Sequence, residues 1–210
     1  MIAIVNYGSG NIQAIANIFG KLNIPFVIAS APEELAGADR ILLPGVGAFD
    51  QAMNELNASG LRAALDRKVL EERTPVLGIC VGMQLLGKSS EEGTAQGLGW
   101  IDGTVKRFDH SSFHQATHLP HMGWNTVEPR QSSALFEGID LTPGYYFLHS
   151  YYFTCADGAD VLGVTDYGGS FASAVRRGNV HGVQFHPEKS HQAGTDLLRN
   201  FATRALEAAA

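Results

Sequence analysis

Gly78-Ile79-Cys80-Val81-Gly82 sets a cysteine between two glycines, each two residues away, where an apolar run gives way to a helical pattern. A strand that turns sharply into a helix at a nucleophile needs this arrangement, because glycine adds no bulk where backbone segments pass closely. Cys80 would then project beyond the carboxyl end of a sheet, above a helix N-terminus whose positive end favours a thiolate. A buried structural cysteine in a strand-to-helix turn would carry the same five residues, so the motif needs partners. Among the eight histidines, His186 has the unusual setting: Val183-Gln184-Phe185-His186-Pro187-Glu188 is a β-type run ending in His-Pro-Glu. Proline restricts its own φ and the residue before it, and in an extended segment residues two apart share a side. His186 and Glu188 are therefore expected together, the carboxylate orienting the imidazole while the imidazole exchanges a proton with Cys80. Alone, the pair would pass for an exposed strand end. Beside the cysteine turn it reads as a base and its orienting group.

Leu42-Leu43-Pro44-Gly45-Val46-Gly47 leaves a strand and exposes backbone N–H groups. Those of Gly45 and Val46, with that of Val81 just past the thiol, are candidate oxyanion donors, although an ordinary strand-to-helix turn has the same composition. Glycine lets a peptide in this loop rotate at little cost, so such a rotation is expected to complete the oxyanion site. Cys155, in Phe153-Thr154-Cys155-Ala156-Asp157, has no comparable setting and reads as a packing residue.

The elements that must hold these groups alternate in the first half of the chain. Ile2 to Asn6, Pro25 to Ala29, Arg40 to Leu43 and Pro75 to Ile79 read as short buried strands. Between them Ile12, Ile15, Ala16 and Phe19, and then Leu61, Ala64, Leu65 and Val69, fall at helical spacing, and Met83 to Leu86 is helix-like. Strands alternating with helices imply a doubly wound, mostly parallel α/β sheet with flanking helices, of flavodoxin-like type. From Leu98 to Phe185 the texture changes to short β-type runs such as Gly144 to Leu148 and Phe171 to Val175. The turn dipeptides Asp157-Gly158 and Gly178-Asn179 point to hairpins, hence an added antiparallel region. A last helix carries Leu197, Leu198 and Phe201. Without repeats or a linker-like stretch, residues 1–210 are expected to form one domain.

Composition narrows the partners. Fifteen Lys plus Arg against twenty-one Asp plus Glu leave a net charge of −6 over 210 residues with no basic stripe, which argues against nucleic-acid binding. No apolar run approaches the roughly 20 residues of a membrane helix, and the opening residues lack the positive region of a signal peptide. A cytoplasmic location with two free thiols is expected. Gly8-Ser9-Gly10 follows the first strand, but Gln13 stands at the third glycine position of the dinucleotide fingerprint and no P-loop lysine occurs. His110, His114, His118 and His121 have a metal-like spacing, yet Pro120 and Ser111-Ser112 suggest a surface loop. No cofactor and no metal site are expected.

Taken together, these segments resemble the class I (triad) glutamine amidotransferases, and within them the glutaminase subunits of imidazole glycerol phosphate synthase. The resemblance rests on Asn6-Tyr7-Gly8-Ser9-Gly10-Asn11, Pro44-Gly45-Val46-Gly47 and Gly78 to Leu86. It continues through Leu119 to Asn125, Tyr146 to Tyr151 and Gln184 to Ser190, so it covers almost the whole chain. It implies that Cys80 attacks the side-chain amide of L-glutamine, that His186 carries the proton and that Glu188 holds His186. It places Gln84 and Glu92 at the substrate's amino-acid head, with Gly45, Ser150 and Tyr151 contributing. It implies ammonia transfer to a (β/α)8-barrel cyclase subunit in a heterodimer of histidine biosynthesis, with Trp124, Lys189 and Asn11 toward that partner. One departure is Val81, where the family often has Leu, which barely alters a backbone donor. Three other readings compete: the same chemistry serving another acceptor, as in the pyridoxal phosphate or anthranilate pathways; a cysteine hydrolase acting on peptides; and a noncatalytic α/β interaction module.

Overall fold

The computed structural model describes residues 1–109 and 118–206. Its strands are β1 (Ile2–Val5), β2 (Phe26–Ala29), β3 (Arg40–Gly45), β4 (Val76–Cys80), β5 (Ser89–Ser90), β6 (Gly103–Arg107) and β7 (His121–Asn125). They continue with β8 (Glu128–Pro129), β9 (Tyr145–His149), β10 (Tyr151–Cys155), β11 (Val161–Asp166), β12 (Ser170–Arg177) and β13 (Val180–Val183). The helices are α1 (Ile12–Lys21), α2 (Phe49–Ala58), α3 (Arg62–Asp66), α4 (Val81–Leu85) and α5 (His191–Thr203).

Strands β2-β1-β3-β4-β13 lie side by side and run parallel. Their near-continuous apolar runs suit burial on both faces: Ile2 to Val5 and Val76 to Cys80 are buried throughout. Beyond β13 the sheet continues through β12, β10 and β6 with antiparallel pairing, and β11 and β8 branch from β12. Strands β7 and β9 form a separate antiparallel pair. This is the expected mostly parallel sheet with an antiparallel addition. The buried apolar side chains form one cluster running from Ile2 to Phe201. No helix among the described residues is long and apolar enough to cross a membrane.

Two local readings change. Gly178-Asn179 does close a hairpin, since Arg177 pairs with Val180 across it. Asp157-Gly158 does not: its carboxylate accepts the Ala159 N–H at 2.9 Å and starts a 3-10 turn, and β10 and β11 both pair with β12 instead of each other. Helix α2 was not anticipated, although Phe49, Ala52, Met53 and Leu56 are its buried residues at helical spacing.

Three buried histidines make the fold sensitive to acid. Burial lowers the pKa of His121 to about 4, His149 to about 3 and His181 to about 4. A histidine whose folded pKa lies below its unfolded value of about 6.5 contributes full stability above that value and loses it as the pH falls. At pH 5 each costs on the order of 2 kcal/mol. The melting temperature is therefore expected to drop between pH 6.5 and 5, above the range in which most carboxylates titrate. A flat melting curve there would contradict the neutral, buried assignment.

Candidate active site

The chemistry collects at the carboxyl ends of the parallel strands, where open α/β sheets place their sites. Cys80 ends β4 at φ 55° and ψ −114°, a backbone conformation costing roughly 1–3 kcal/mol for a residue with a side chain. Its neighbour across the sheet is Gly45, the last residue of β3, and α4 begins at the next residue. The chain must bend this sharply to lift the thiol out of the sheet. The side chain is nearly enclosed, with Cys80 4% exposed. Sγ approaches the Leu148 carbonyl at 4.0 Å, and Gln184 Nε2 points at Sγ from 3.9 Å.

His186 follows β13, the strand beside β4, so parallel pairing alone carries it to the same end as Cys80. Its N–H donates to the Tyr146 carbonyl at 2.8 Å, and its own carbonyl accepts the Ser190 hydroxyl at 2.6 Å. Nδ1 and Glu188 Oε1 lie 2.8 Å apart, and Cys80 faces the same cavity as the ring, close enough to act on its pKa. The route to Glu188 is not the extended one expected: Pro187–Lys189 is a single 3-10 turn. Proline at the first turn position favours such a turn and still brings residues 186 and 188 together.

The electrostatics are those of an ion-pair site. Burial by itself would lower the His186 pKa. The neighbouring Cys80 and Glu188 outweigh burial and raise it to about 9. Burial pushes the Glu188 carboxyl up, but the hydrogen bond and charge of His186 and the amide of Asn11 hold it below its ordinary value. At neutral pH the imidazole is thus held as a cation between thiol and carboxylate.

The triad opens into a cavity of about 490 Å³ whose lining includes Val81, Gln84, Glu92, Ser150 and Tyr151, a size suited to a small metabolite. Gln84 Nε2 donates to the Tyr151 carbonyl at 3.2 Å and to Gln184 Oε1 at 3.1 Å. Glu92 Oε2 accepts the Phe49 N–H at 2.8 Å, leaving Oε1 for the cavity. The next residue, Asp50, accepts the N–H groups of Thr94 and Ala95 at 2.9 and 3.0 Å. Helix α2 therefore positions the Glu92 loop.

Val46 and Asn11 make contacts that their sequence setting does not show. Val46 lines the cavity, but its N–H donates to Ser9 Oγ at 3.0 Å, and the Ser9 hydroxyl donates to the Val46 carbonyl at 2.8 Å. The amide read as an oxyanion donor is engaged elsewhere, because a hydroxyl that both donates and accepts satisfies both sides of the loop residue. Val81 differs: it opens α4, where an N–H has no intrahelical acceptor. Gly45 is not among the cavity-lining residues. Asn11, expected toward a partner, lines the cavity and donates to Glu188 Oε1 at 2.6 Å. A buried carboxylate draws such a donor inward.

Trp124 and Lys189 are exposed at the rim. Trp124, 46% exposed, stacks on His191 with ring centroids 4.9 Å apart, and Lys189 Nζ lies 5.6 Å from the Tyr146 ring centroid. Val46, Met122 and Leu148 are also exposed. Sequence reasoning passed over Ser9, Ser190 and Gln184. Only Gln184 carried a signal, standing two residues before His186 in a β-type run. Among the described residues no group of three or more His, Cys, Asp or Glu is placed to hold a metal ion. His110 and His114 lie outside the described residues.

The family described as Glutamine amidotransferase class-I matches residues 3–205. An imidazole glycerol phosphate synthase subunit HisH of Bdellovibrio bacteriovorus is 52% identical over 202 residues, 96% of this chain and 99% of that protein. A HisH 2 subunit of Methanococcus maripaludis is 44% identical over 205 residues, 98% of this chain and all of its own. A glutamine amidotransferase crystal structure superimposes with a TM-score of 0.70 at 21% identity, covering 96% and 97% of the two chains. The glutaminase domain of Trypanosoma brucei CTPS with bound acivicin gives 0.62 at 20%, covering 96% of this chain and 92% of its own. At these identities the two structures speak for a shared fold.

Proposed function

The chain belongs to the class-I glutamine amidotransferases, and on that premise we propose that it is the glutamine-hydrolysing subunit of an imidazole glycerol phosphate synthase in histidine biosynthesis. The observation that carries the reading is a cysteine on a strained turn that shares one cavity with an imidazole, itself held by a buried carboxylate. The Cys80 thiolate attacks the side-chain carbonyl carbon of glutamine. The tetrahedral intermediate collapses as the C–N bond breaks and His186 gives its Nε2 proton to the nitrogen, releasing ammonia and leaving a glutamyl thioester. His186, now neutral, takes a proton from water as the water attacks that ester. Glutamate leaves and the thiolate–imidazolium pair returns. Glu188 fixes the ring and its tautomer throughout.

Glu92 Oε1 receives the substrate's ammonium, and Gln84, Ser150 and Tyr151 supply polar contacts along the same wall. The Val81 N–H meets the developing oxyanion. A second donor comes from Val46 once its peptide turns away from Ser9, which makes the resting enzyme slow. The partner, a (β/α)8-barrel cyclase, covers the exposed rim of Val46, Met122, Trp124, Leu148 and Lys189 and receives ammonia from the cavity mouth. Apolar and cationic anchors of this kind suit the centre of an interface.

Glutamate release measured with and without the cyclase subunit and its ligand tests the reading. Stimulation by the partner is expected, and a chain that releases no glutamate under either condition would refute it. In the free chain Ser9→Ala is expected to raise basal hydrolysis roughly 5- to 30-fold, the effect of shifting the loop equilibrium by about 1–2 kcal/mol. An unchanged basal rate would remove Ser9 as the restraint.

A further inference from the structure

A hydrogen-bonded chain that the cleavage steps do not use starts at His149 in the cavity wall and runs away from it. The Tyr151 carbonyl can only accept, so His149 Nδ1, 2.8 Å away, carries the hydrogen. In a neutral ring His149 Nε2 is then a bare acceptor. His121 Nδ1 stands 3.0 Å from it and must donate. That leaves His121 Nε2 as acceptor for Asn125 Nδ2 at 3.2 Å, while the same amide nitrogen donates to the Asp166 carbonyl at 2.9 Å and Asn125 Oδ1 accepts the Thr126 N–H at 2.8 Å. Every link has one allowed direction, and both rings must be neutral, as their burial keeps them. The His121 ring is clamped between Phe147 and Tyr167, with centroids 4.6 and 3.9 Å away, so it has little freedom to turn.

Both ends of the chain matter. The Tyr151 carbonyl also accepts Gln84 Nε2, and Gln84 reaches Gln184, which faces Cys80. At the other end, His121 and Asn125 belong to β7, whose intervening residues Met122 and Trp124 are exposed on the opposite side. Strand alternation thus puts the polar chain and the exposed rim on two faces of one short strand.

We propose that His121 and His149 form a one-way hydrogen-bond relay that positions the Tyr151 carbonyl and Gln84 for glutamine binding and ties this wall to the β7 face carrying Met122 and Trp124. They are positioning residues. The proposal rests on the glutaminase reading above and deepens it, since it assigns control of glutamine affinity to groups outside the triad.

Steady-state kinetics of the complete synthase test it, with copurification of the two subunits as the control for folding. His149→Leu leaves the Tyr151 carbonyl without its second donor and is expected to raise the glutamine KM about tenfold, with kcat changed less than about threefold. His149→Asn places an amide N–H near the Nδ1 position and is expected to bring KM back to within about threefold of wild type. His121→Phe keeps the aromatic stack but removes the donor to His149 Nε2, and KM is expected to rise about threefold. If His149→Leu no longer copurifies with the cyclase, His149→Asn and His121→Phe decide the matter through the same KM comparison. A wild-type KM in His149→Leu or His121→Phe, or an Asn variant no better than Leu, overturns the relay. A wild-type complex that hydrolyses no glutamine overturns the glutaminase reading instead.

Discussion

Cys80→Ala is expected to lower glutamine hydrolysis by at least about 10⁴-fold in kcat/KM, while the synthase driven by added ammonia keeps its rate within about twofold. Removing a covalent nucleophile leaves only binding and oxyanion contacts, which cannot open the thioester route. Alanine keeps the Cβ and hence the strain at φ 55° and ψ −114°, so the substitution isolates the sulfur from the turn that carries it. The ammonia-driven reaction does not pass through this chain's cavity chemistry, and copurification of the variant with the cyclase reports whether the two subunits still assemble. Loss of both reactions would contradict the division of labour. Cys155→Ala is the matching control. Burial, with Asp160 and Asp157 nearby, raises the Cys155 thiol to about 12, so it stays protonated and its removal is expected to leave turnover nearly unchanged.

Gly82→Ala is expected to be among the most damaging added methyl groups in the fold. A Cβ at residue 82 would fall 1.8 Å from the Leu43 carbonyl oxygen and 2.9 Å from its carbon. Both are backbone atoms of β3, so no side-chain rotamer relieves the clash. The glycines on either side of Cys80 interlock: a Cβ on Gly78 would meet the Gly82 carbonyl oxygen at 2.6 Å. Either α4 lifts from β3 or the elbow opens, and the cost exceeds about 3 kcal/mol. For a chain of this size that lowers the melting temperature by roughly 10 °C. Gly20→Ala provides the contrast, because nothing lies within 4 Å of its Cβ in α1. It is expected to leave the melting temperature unchanged or raise it slightly. Equal melting temperatures for the two variants would show that the close approach at Gly82 is not needed.

Sequence carried the parallel half of the fold well because each strand there is a short unbroken apolar run and each helix shows a stripe. It missed α2 although Phe49, Ala52, Met53 and Leu56 have the right spacing, since no cap and few apolar neighbours marked its ends. The antiparallel half was legible only as texture. Which strands pair across β12 depends on register and bulges between residues far apart in the chain, not on local spacing. At the site, Cys80, His186 and Glu188 were legible because glycine and proline advertise unusual backbone around them. Asn11 and Ser9 were not: one opening loop supplies both the amide on Glu188 and the hydroxyl on Val46, and only tertiary contacts separate those roles. The histidine relay was hidden for a similar reason. His121 and His149 are 28 residues apart and meet because they pair across β7 and β9.

The most direct measurement is mass spectrometry of the protein after exposure to a glutamine-like electrophile, with the modified residue located by peptide mapping. The account predicts one adduct per chain, on Cys80, suppressed by excess glutamine and absent from His186→Ala, whose thiol has lost its partner. No adduct, or an adduct on Cys155 that glutamine does not suppress, would contradict it.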